Sequence, residues 1–480
     1  MRTILSIFFL LVVGTSYAQD EFFMDGCLPD DGTYNQLPRK AELLTRDYKS
    51  MPKVYSLKQY CPKVRSQGGH GSCTSWAAAY AARTIAEAVK YGWTDNEKIT
   101  SEAFAPLFVY ALIKDYKMYP RDVNCKKGTL VSHAVKLMKE IGVPKCASFD
   151  VLCASYVEEG LKEEAQNYKI DDYTTLFSID EENSVEKIRK VRKSLSEDRP
   201  VVIAMHLPSS FMHAGSNWDG QDTDVDPSKH GYHAMCVIGY DDYKDGGSFQ
   251  IMNSWGSTWG DKGFVWVRYD DFAKYVDQAY EVYVKKAEQP KPGPAPKKYN
   301  IDGEMRIASH NGAITMPVAY SESDDMPHYI TTETYLSGSK FRLYVNNRKP
   351  AWVYVIASDL ENNVSKLFPY EDIISAYMNY SENNFALPDE EHEFEFDATA
   401  GLDYFCVLYS EEELDINNIV KQIKRSGGSF YQQLKTVLGD KIVPQSEVKY
   451  NQKNMGFSAT SNRTIVPLVV EIPHRDISVE

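Results

Sequence analysis

The rhythm of apolar and polar positions changes twice along the chain. Cys73 to Lys90 (CTSWAAAYAARTIAEAVK) is rich in alanine and free of Gly and Pro, which predicts a buried helix. Thr129 to Ile141 (TLVSHAVKLMKEI) carries an amphipathic stripe closed by Gly142, a helix followed by its stop signal. Asn183 to Leu195 is charged on one face and apolar on the other. Short β-rich runs come next: Val201 to Met205, His233 to Gly239, Phe249 to Asn253, Phe264 to Tyr269 and Ala279 to Val284. Helices first and strands afterwards predict an α+β domain in two segregated parts. Beyond residue 300 strands dominate, at Phe341 to Val345, Trp352 to Ala357, Glu393 to Phe396 and Tyr404 to Tyr409. Helical stretches follow near Ile416–Lys424 and Phe430–Leu438, so a small antiparallel sandwich-like domain with appended helices is expected.

Between the halves lies Gln289-Pro-Lys-Pro-Gly-Pro-Ala-Pro-Lys-Lys298. Its prolines cannot pack as helix or central strand and form a semi-rigid spacer. At the other extreme, Met1-Arg2-Thr3 precedes an apolar run from Ile4 to Val13, with small residues at Ser16 and Ala18. That is the pattern of a secretory signal peptide, and the run is too short to span a membrane as a helix. The organisation expected is a signal peptide over 1–18, a short extension over 19–49, a first domain over 50–286, a linker over 287–299 and a β-rich accessory domain over 300–480. The expected location is outside the cytoplasm, secreted or periplasmic.

Composition narrows the partners. The 480 residues are 43% hydrophobic and 25% charged, ordinary for globular protein, and the net charge is −14. So acidic a chain repels phosphate backbones, which argues against nucleic acid. An exported chain would tend to use its eight cysteines in disulfides. Cys146 with Cys153, Cys125 with Cys153, and Cys27 with Cys61 are all open from sequence, and one cysteine kept as a nucleophile would leave an odd seven. No C-x-x-C occurs, so neither zinc ribbons nor a thioredoxin-like redox motif is supported. Asp219, Asp222, Asp224 and Asp226 fail the EF-hand pattern at Pro227 and His233, and read as a solvated loop. No metal site and no cofactor is expected.

The chemistry concentrates in two segments. In Gln67-Gly-Gly-His-Gly-Ser-Cys73-Thr-Ser-Trp76, glycines let the backbone pass close to a neighbour, and Cys73 opens the predicted helix. Unsatisfied N–H groups and the helix dipole favour a thiolate there, the nucleophilic form. Alone, such a cysteine is more often packed or bridged. The second segment runs from Gly231-Tyr-His233-Ala234 to Asn253-Ser-Trp255-Gly. His233 opens one predicted strand and Asn253 closes the next, so an antiparallel pairing could bring them together. An imidazole so placed takes the thiol proton, an amide holds the ring, and Trp255 could shield that hydrogen bond from water. The bland alternative is a buried strand histidine and a turn asparagine.

These residues resemble the papain family of cysteine peptidases over roughly residues 50–286. Gln67, six residues before Cys73, matches the family's oxyanion-hole glutamine, Cys73 its nucleophile, and His233-Ala234 its histidine with the following alanine. Asn253-Ser254-Trp255-Gly256, Trp259-Gly260 and Gly263 match its N-S-W-G-x-x-W-G-x-x-G run. The resemblance implies a two-part fold, peptide-bond hydrolysis through a thioester, protein or peptide substrates, and a cleft lined by Gly128, Ala234 and Trp255. It leaves alternatives: a papain-like acyltransferase using an amine acceptor, or an exported binding protein on a silent peptidase scaffold.

Three departures stand out. His70 replaces the half-cystine expected three residues before the nucleophile, so Cys125 must be free or pair elsewhere, and Thr74 replaces a Trp. The family's long helical inhibitory prosegment is absent, so either no such inhibition is needed or another part of the chain supplies it. Residues 335–415 loosely resemble an uncharacterised β-rich module of exported bacterial proteins. It names no activity; its aromatics read as core strands, with a face that binds a surface or partner protein as the alternative.

Overall fold

The structure is a computed structural model. It describes residues 26–29, 32–41, 51–114, 122, 124–220, 231–284, 298–309, 312–323, 325–359, 363–378, 383–389, 392–398 and 400–476. The predicted signal peptide, most of the proline-rich linker and the acidic loop beyond Gly220 lie outside the described residues.

The predicted alanine-rich helix is present as α1. It begins as α-helix at Cys73–Ser75, widens into π-helical turns over Trp76–Arg83 and returns to α geometry over Thr84–Tyr91. Small side chains allow this packing, and Ala77 to Ala82 are all buried. Around it lie α2 (Pro106–Ile113) and α3 (Val131–Glu140). Helix α3 ends where foreseen: Gly142 has φ +94°, and a Cβ there would collide with the Ala165 carbonyl oxygen at 1.9 Å. Helix α4 (Ser184–Ser196) is capped by Asn183, whose side chain accepts from the Glu186 N–H.

The strands of this half form one sheet. Its main strands are β1 (Asp172–Thr175), β2 (Val201–Leu207), β3 (Gly231–Asp241), β4 (Ser248–Met252), β5 (Phe264–Arg268) and β6 (Val276–Tyr283), and the short Val54–Ser56 pairs with the end of β3. In the order β1-β6-β2-β3-β4-β5 every neighbour is antiparallel, and Asn217–Trp218 adds a short parallel pairing on β5. One apolar core joins this sheet to α1–α3.

Tyr299, the last residue of the predicted linker, already opens strand β7 (Tyr299–Ser309). The second half is β-rich with appended helices, as expected. It has two sheets, one built on β7, β9 (Lys340–Asn347) and β12 (Gly456–Ser461). The other is built on β8 (His328–Thr331), β10 (Ala351–Ser358), β11 (Gly401–Ser410) and β13 (Ile465–Arg475). It is not wholly antiparallel, since β8 runs parallel to β13. Val353 and Val355 of β10 face the core between the sheets. Tyr354 and Ile356 face the other way, under α5 (Ile416–Ile423) and α6 (Phe430–Leu438). Burial on both faces explains why this stretch reads as a continuous apolar run rather than an alternation.

Residues 32–41 touch both halves. Tyr34 is fully buried, and its hydroxyl donates to the Ala279 carbonyl at 3.3 Å and accepts from the Ala279 N–H at 3.0 Å. Further on, Thr175 of β1 donates to Pro38 and Lys40 donates back to Thr175, both at 2.8 Å. Between those bonds, Arg39 donates to Ile373 at 2.7 Å and accepts from Ser375 at 2.8 Å. Pro38–Ala41 is thus a strand shared by the two halves. Tyr283 and Tyr377 meet across the same junction, ring centroids 5.5 Å apart.

Candidate active site

The antiparallel register of β3 and β4 brings the two separated segments together. Met252 pairs with Cys236, so Asn253 falls beside His233. Asn253 Oδ1 lies 2.8 Å from His233 Nε2 and also accepts from the Ser254 N–H at 2.7 Å, which orients the amide. With Nε2 donating to that oxygen, the proton-accepting lone pair of the ring is on Nδ1. Nδ1 is buried and has no hydrogen-bond partner among the described residues. Trp255 stacks on the imidazole at 4.6 Å and is only 1% exposed, so it covers the His233–Asn253 bond rather than forming an open wall. Burial lowers the His233 pKa to about 4, with the Asn253 hydrogen bond pulling the other way.

Cys73 stands at the first turn of α1, fully buried. The Ala234 N–H, one residue past His233, points at its sulfur at 3.5 Å. Helix start and strand therefore meet at this atom. Gln67 is held from both ends: Ser254 Oγ donates to Oε1 at 2.6 Å, and Nε2 donates to the His70 carbonyl at 2.8 Å. One hydrogen of that amide remains available. His70 turns back on its own loop, Nδ1 3.0 Å from the Gln67 carbonyl oxygen. Sequence reasoning gave Ser254 no role of its own, and a serine beside the asparagine was the one signal for its grip on Gln67.

The wall carrying Gly128 is tied without the bridge that the papain resemblance would supply. Cys125 is in a disulfide with Cys153, one of the three pairings open from sequence. Cys61 and Cys146 are not bridged, so the other two pairings do not form. Gly71 N–H donates to the Cys125 carbonyl at 2.8 Å, and Thr74 Oγ1 lies 2.5 Å from Thr129 Oγ1. The Thr74 that departs from the family pattern is thus a strut between helix and wall. Asp122 fixes the same loop by accepting from the N–H groups of Lys126 and Lys127 at 2.8 and 2.9 Å.

Between Gly128 and Ala234 runs another part of the chain. Thr129 donates to Gly26 at 3.1 Å, and Leu28 donates to Thr129 at 3.0 Å. On the opposite side Cys27 bridges Tyr232 of β3 in antiparallel fashion. A Cβ on Gly26 would lie 2.7 Å from the Gly71 carbonyl carbon and 3.0 Å from Cys73 Sγ. Nothing in the sequence pattern placed these residues here. Among the described residues no cluster of His, Cys, Asp and Glu could hold a metal ion, and no helix is long and apolar enough to cross a membrane.

A helical part and an antiparallel sheet that join a helix-start cysteine to a His–Asn pair define a papain-like arrangement. Residues 52–283 match the family described as papain family cysteine protease, and the resemblance read from the sequence holds over that stretch. Residues 334–413 match a domain of unknown function, DUF4384. Peptidase 1 of Dermatophagoides farinae is 23% identical over 219 residues, 44% of this chain. This chain spans 57% of that protein's length. An uncharacterized peptidase C1-like protein of Acanthamoeba polyphaga mimivirus is 26% identical over 243 residues, 47% of this chain and 68% of its own. Among solved structures, xylellain, a cysteine protease from Xylella fastidiosa, is 20% identical with a TM-score of 0.43, covering 54% of this chain and 95% of that one.

Proposed function

We propose that the protein is an exported cysteine endopeptidase acting on protein or peptide substrates. The observation that carries this reading is the convergence on one sulfur: Cys73 at a helix start, the Ala234 N–H 3.5 Å away, and next to it an imidazole held by Asn253 with Nδ1 uncommitted. In the first step Nδ1 of His233 takes the thiol proton as the sulfur attacks the peptide carbonyl. The oxyanion that forms is held by the remaining N–H of Gln67 and the Cys73 backbone N–H, donors worth on the order of 10²–10³ each in rate. The imidazolium then gives its proton to the leaving amine, which leaves a thioester. Water, deprotonated by the neutral ring, attacks the thioester and releases the acid, restoring the thiol. Asn253 keeps the ring in the same orientation through both transfers, and Gly128 and Ala234 flank the substrate backbone. Export is supported by the charged, apolar and small-residue succession from Arg2 to Ala18.

The test is reaction of the full chain with a thiol-directed epoxide under mild reduction, mapped by mass spectrometry, beside cleavage of a denatured protein. Modification confined to Cys73, lost in His233→Ala and weakened in Asn253→Ala, is the expected result. Equal labelling of several cysteines without cleavage would leave a silent scaffold as the better reading.

A further inference from the structure

The residues that fill the cleft and the residues that join the two halves are a few positions apart in one short stretch. Gly26–Leu28 lies between Thr129 and Tyr232, with Cys27 only 3% exposed and the Gly26 backbone against Gly71 and the Cys73 sulfur. A peptide substrate lying between Gly128 and Ala234, as proposed, would run through the space that Gly26–Leu28 fills and along the edge of β3 that β4 pairs only from Cys236 onward. Cleft occupation and substrate binding therefore exclude each other. The segment is held by two main-chain bonds to Thr129 and by burial of Cys27, and what fastens its continuation adds to that hold.

That continuation is held twice. Tyr34 and Asn35 fix it to the sheet of the first half, through Ala279 and through the Ile179 N–H, which donates to Asn35 Oδ1 at 2.9 Å. Arg39 is bonded on one side to Ile373 and Ser375 of the second half while its neighbours pair with Thr175 of the first. Lys40 adds a buried ion-pair cluster, its Nζ 2.8 Å from Glu197 and 2.7 Å from Glu281. Ala41 is packed into the core of the second half. We propose that the β-rich second half is the anchor of this cleft-filling segment, so that access to Cys73 is governed by whether Pro38–Ala41 stays paired with Ile373–Ser375. The inference rests on Cys73 being the nucleophile of the proposed peptidase, and it gives the accessory domain a regulatory role within its own chain.

The experiment uses the full chain and reads the segment directly, by amide hydrogen exchange at Leu28 and Thr129 and by the rate at which iodoacetamide alkylates Cys73. In Arg39→Pro, which removes the N–H donated to Ile373, both amides should exchange at least about tenfold faster and alkylation should speed up comparably. Gly26→Val, whose side chain collides with Gly71, should do the same directly. If Arg39→Pro folds and leaves Leu28 and Thr129 protected while Gly26→Val frees them, the anchoring role is wrong. Should Arg39→Pro fail to fold, Ser375→Pro reads the other bond of the same pair. A measurement without variants also decides: in low denaturant, Leu28 and Thr129 should open with the same dependence as Arg39 and Ser375, and separate openings overturn the proposal. Opening of the cleft without any peptide cleavage would reject the peptidase reading and leave the anchor standing.

Discussion

Two buried histidines, one in each half, show how a neighbour decides what an imidazole can do. His233 sits beside the neutral amide of Asn253, with Nδ1 unengaged. His474 on β13 is as deeply buried, but its Nδ1 lies 3.0 Å from Asp403 and its Nε2 3.8 Å from Asp397. Its ring is flanked by these carboxylates on both nitrogens and stacks on Phe396 at 5.2 Å, so neither nitrogen faces an open site. Beside an amide, the ring keeps its orientation without a charged partner, which the proposed proton transfers require. The same residue type, hidden in both halves, has both nitrogens beside carboxylates in one half and one nitrogen left without a partner in the other.

Several substitutions would break or sharpen that contrast. The largest effect is expected from Cys73→Ala, which should lower peptide hydrolysis by on the order of 10⁴-fold or more with little change in melting temperature. His474→Gln should do the reverse, leaving the rate near wild type. It should lower stability in urea melts, because the contact between Nδ1 and Asp403 is lost. Gln67→Ala should lower kcat by on the order of 10²–10³ with KM nearly unchanged, measured with a peptide substrate. Asn253→Asp gives His233 a carboxylate partner, which favours the imidazolium, so the rate maximum should move to higher pH. The smallest effect concerns stability. Because the His233 pKa is lowered to about 4 by burial, its contribution is complete above its ordinary value of 6.5 and is lost as pH falls toward 4. Unfolding free energy should decline across that window by up to about 3 kcal/mol from this group, and His233→Ala should flatten the decline in urea melts at pH 4.5 and 7.

Much of the site was legible before folding because its groups sit where local rules are strong. A cysteine at the head of an alanine-rich run, a histidine near the start of a β-rich run and an asparagine at the end of another each obey a short-range pattern. What escaped depends on backbone pairing between distant residues. Gly26–Leu28 and Pro38–Ala41 have no apolar periodicity, and main-chain hydrogen bonds hold them to partners far down the sequence. Strand β13 was missed because Pro467 and Pro473 interrupt its apolar run. Both are accommodated because β13 pairs along its length with β11, while on its other edge β8 meets only Val470–Glu471 and Tyr335–Leu336 meets only His474–Arg475, leaving both prolines outside those pairings. The widened turns of α1 left no signal, since alanine favours the ordinary helix as strongly.

The shared strand also has a consequence for how the molecule is made. Arg39 leaves the ribosome long before Ile373 and Ser375 are synthesised, and at about 5–20 residues per second the gap is tens of seconds. For that interval the first half can complete its own sheet while one side of the strand waits for a partner. Closing such a long loop is slow as well as late. A nascent chain therefore passes through a stage in which its early core is finished and its two-sided fastening is not, and that stage is the one in which its biogenesis is most exposed to error.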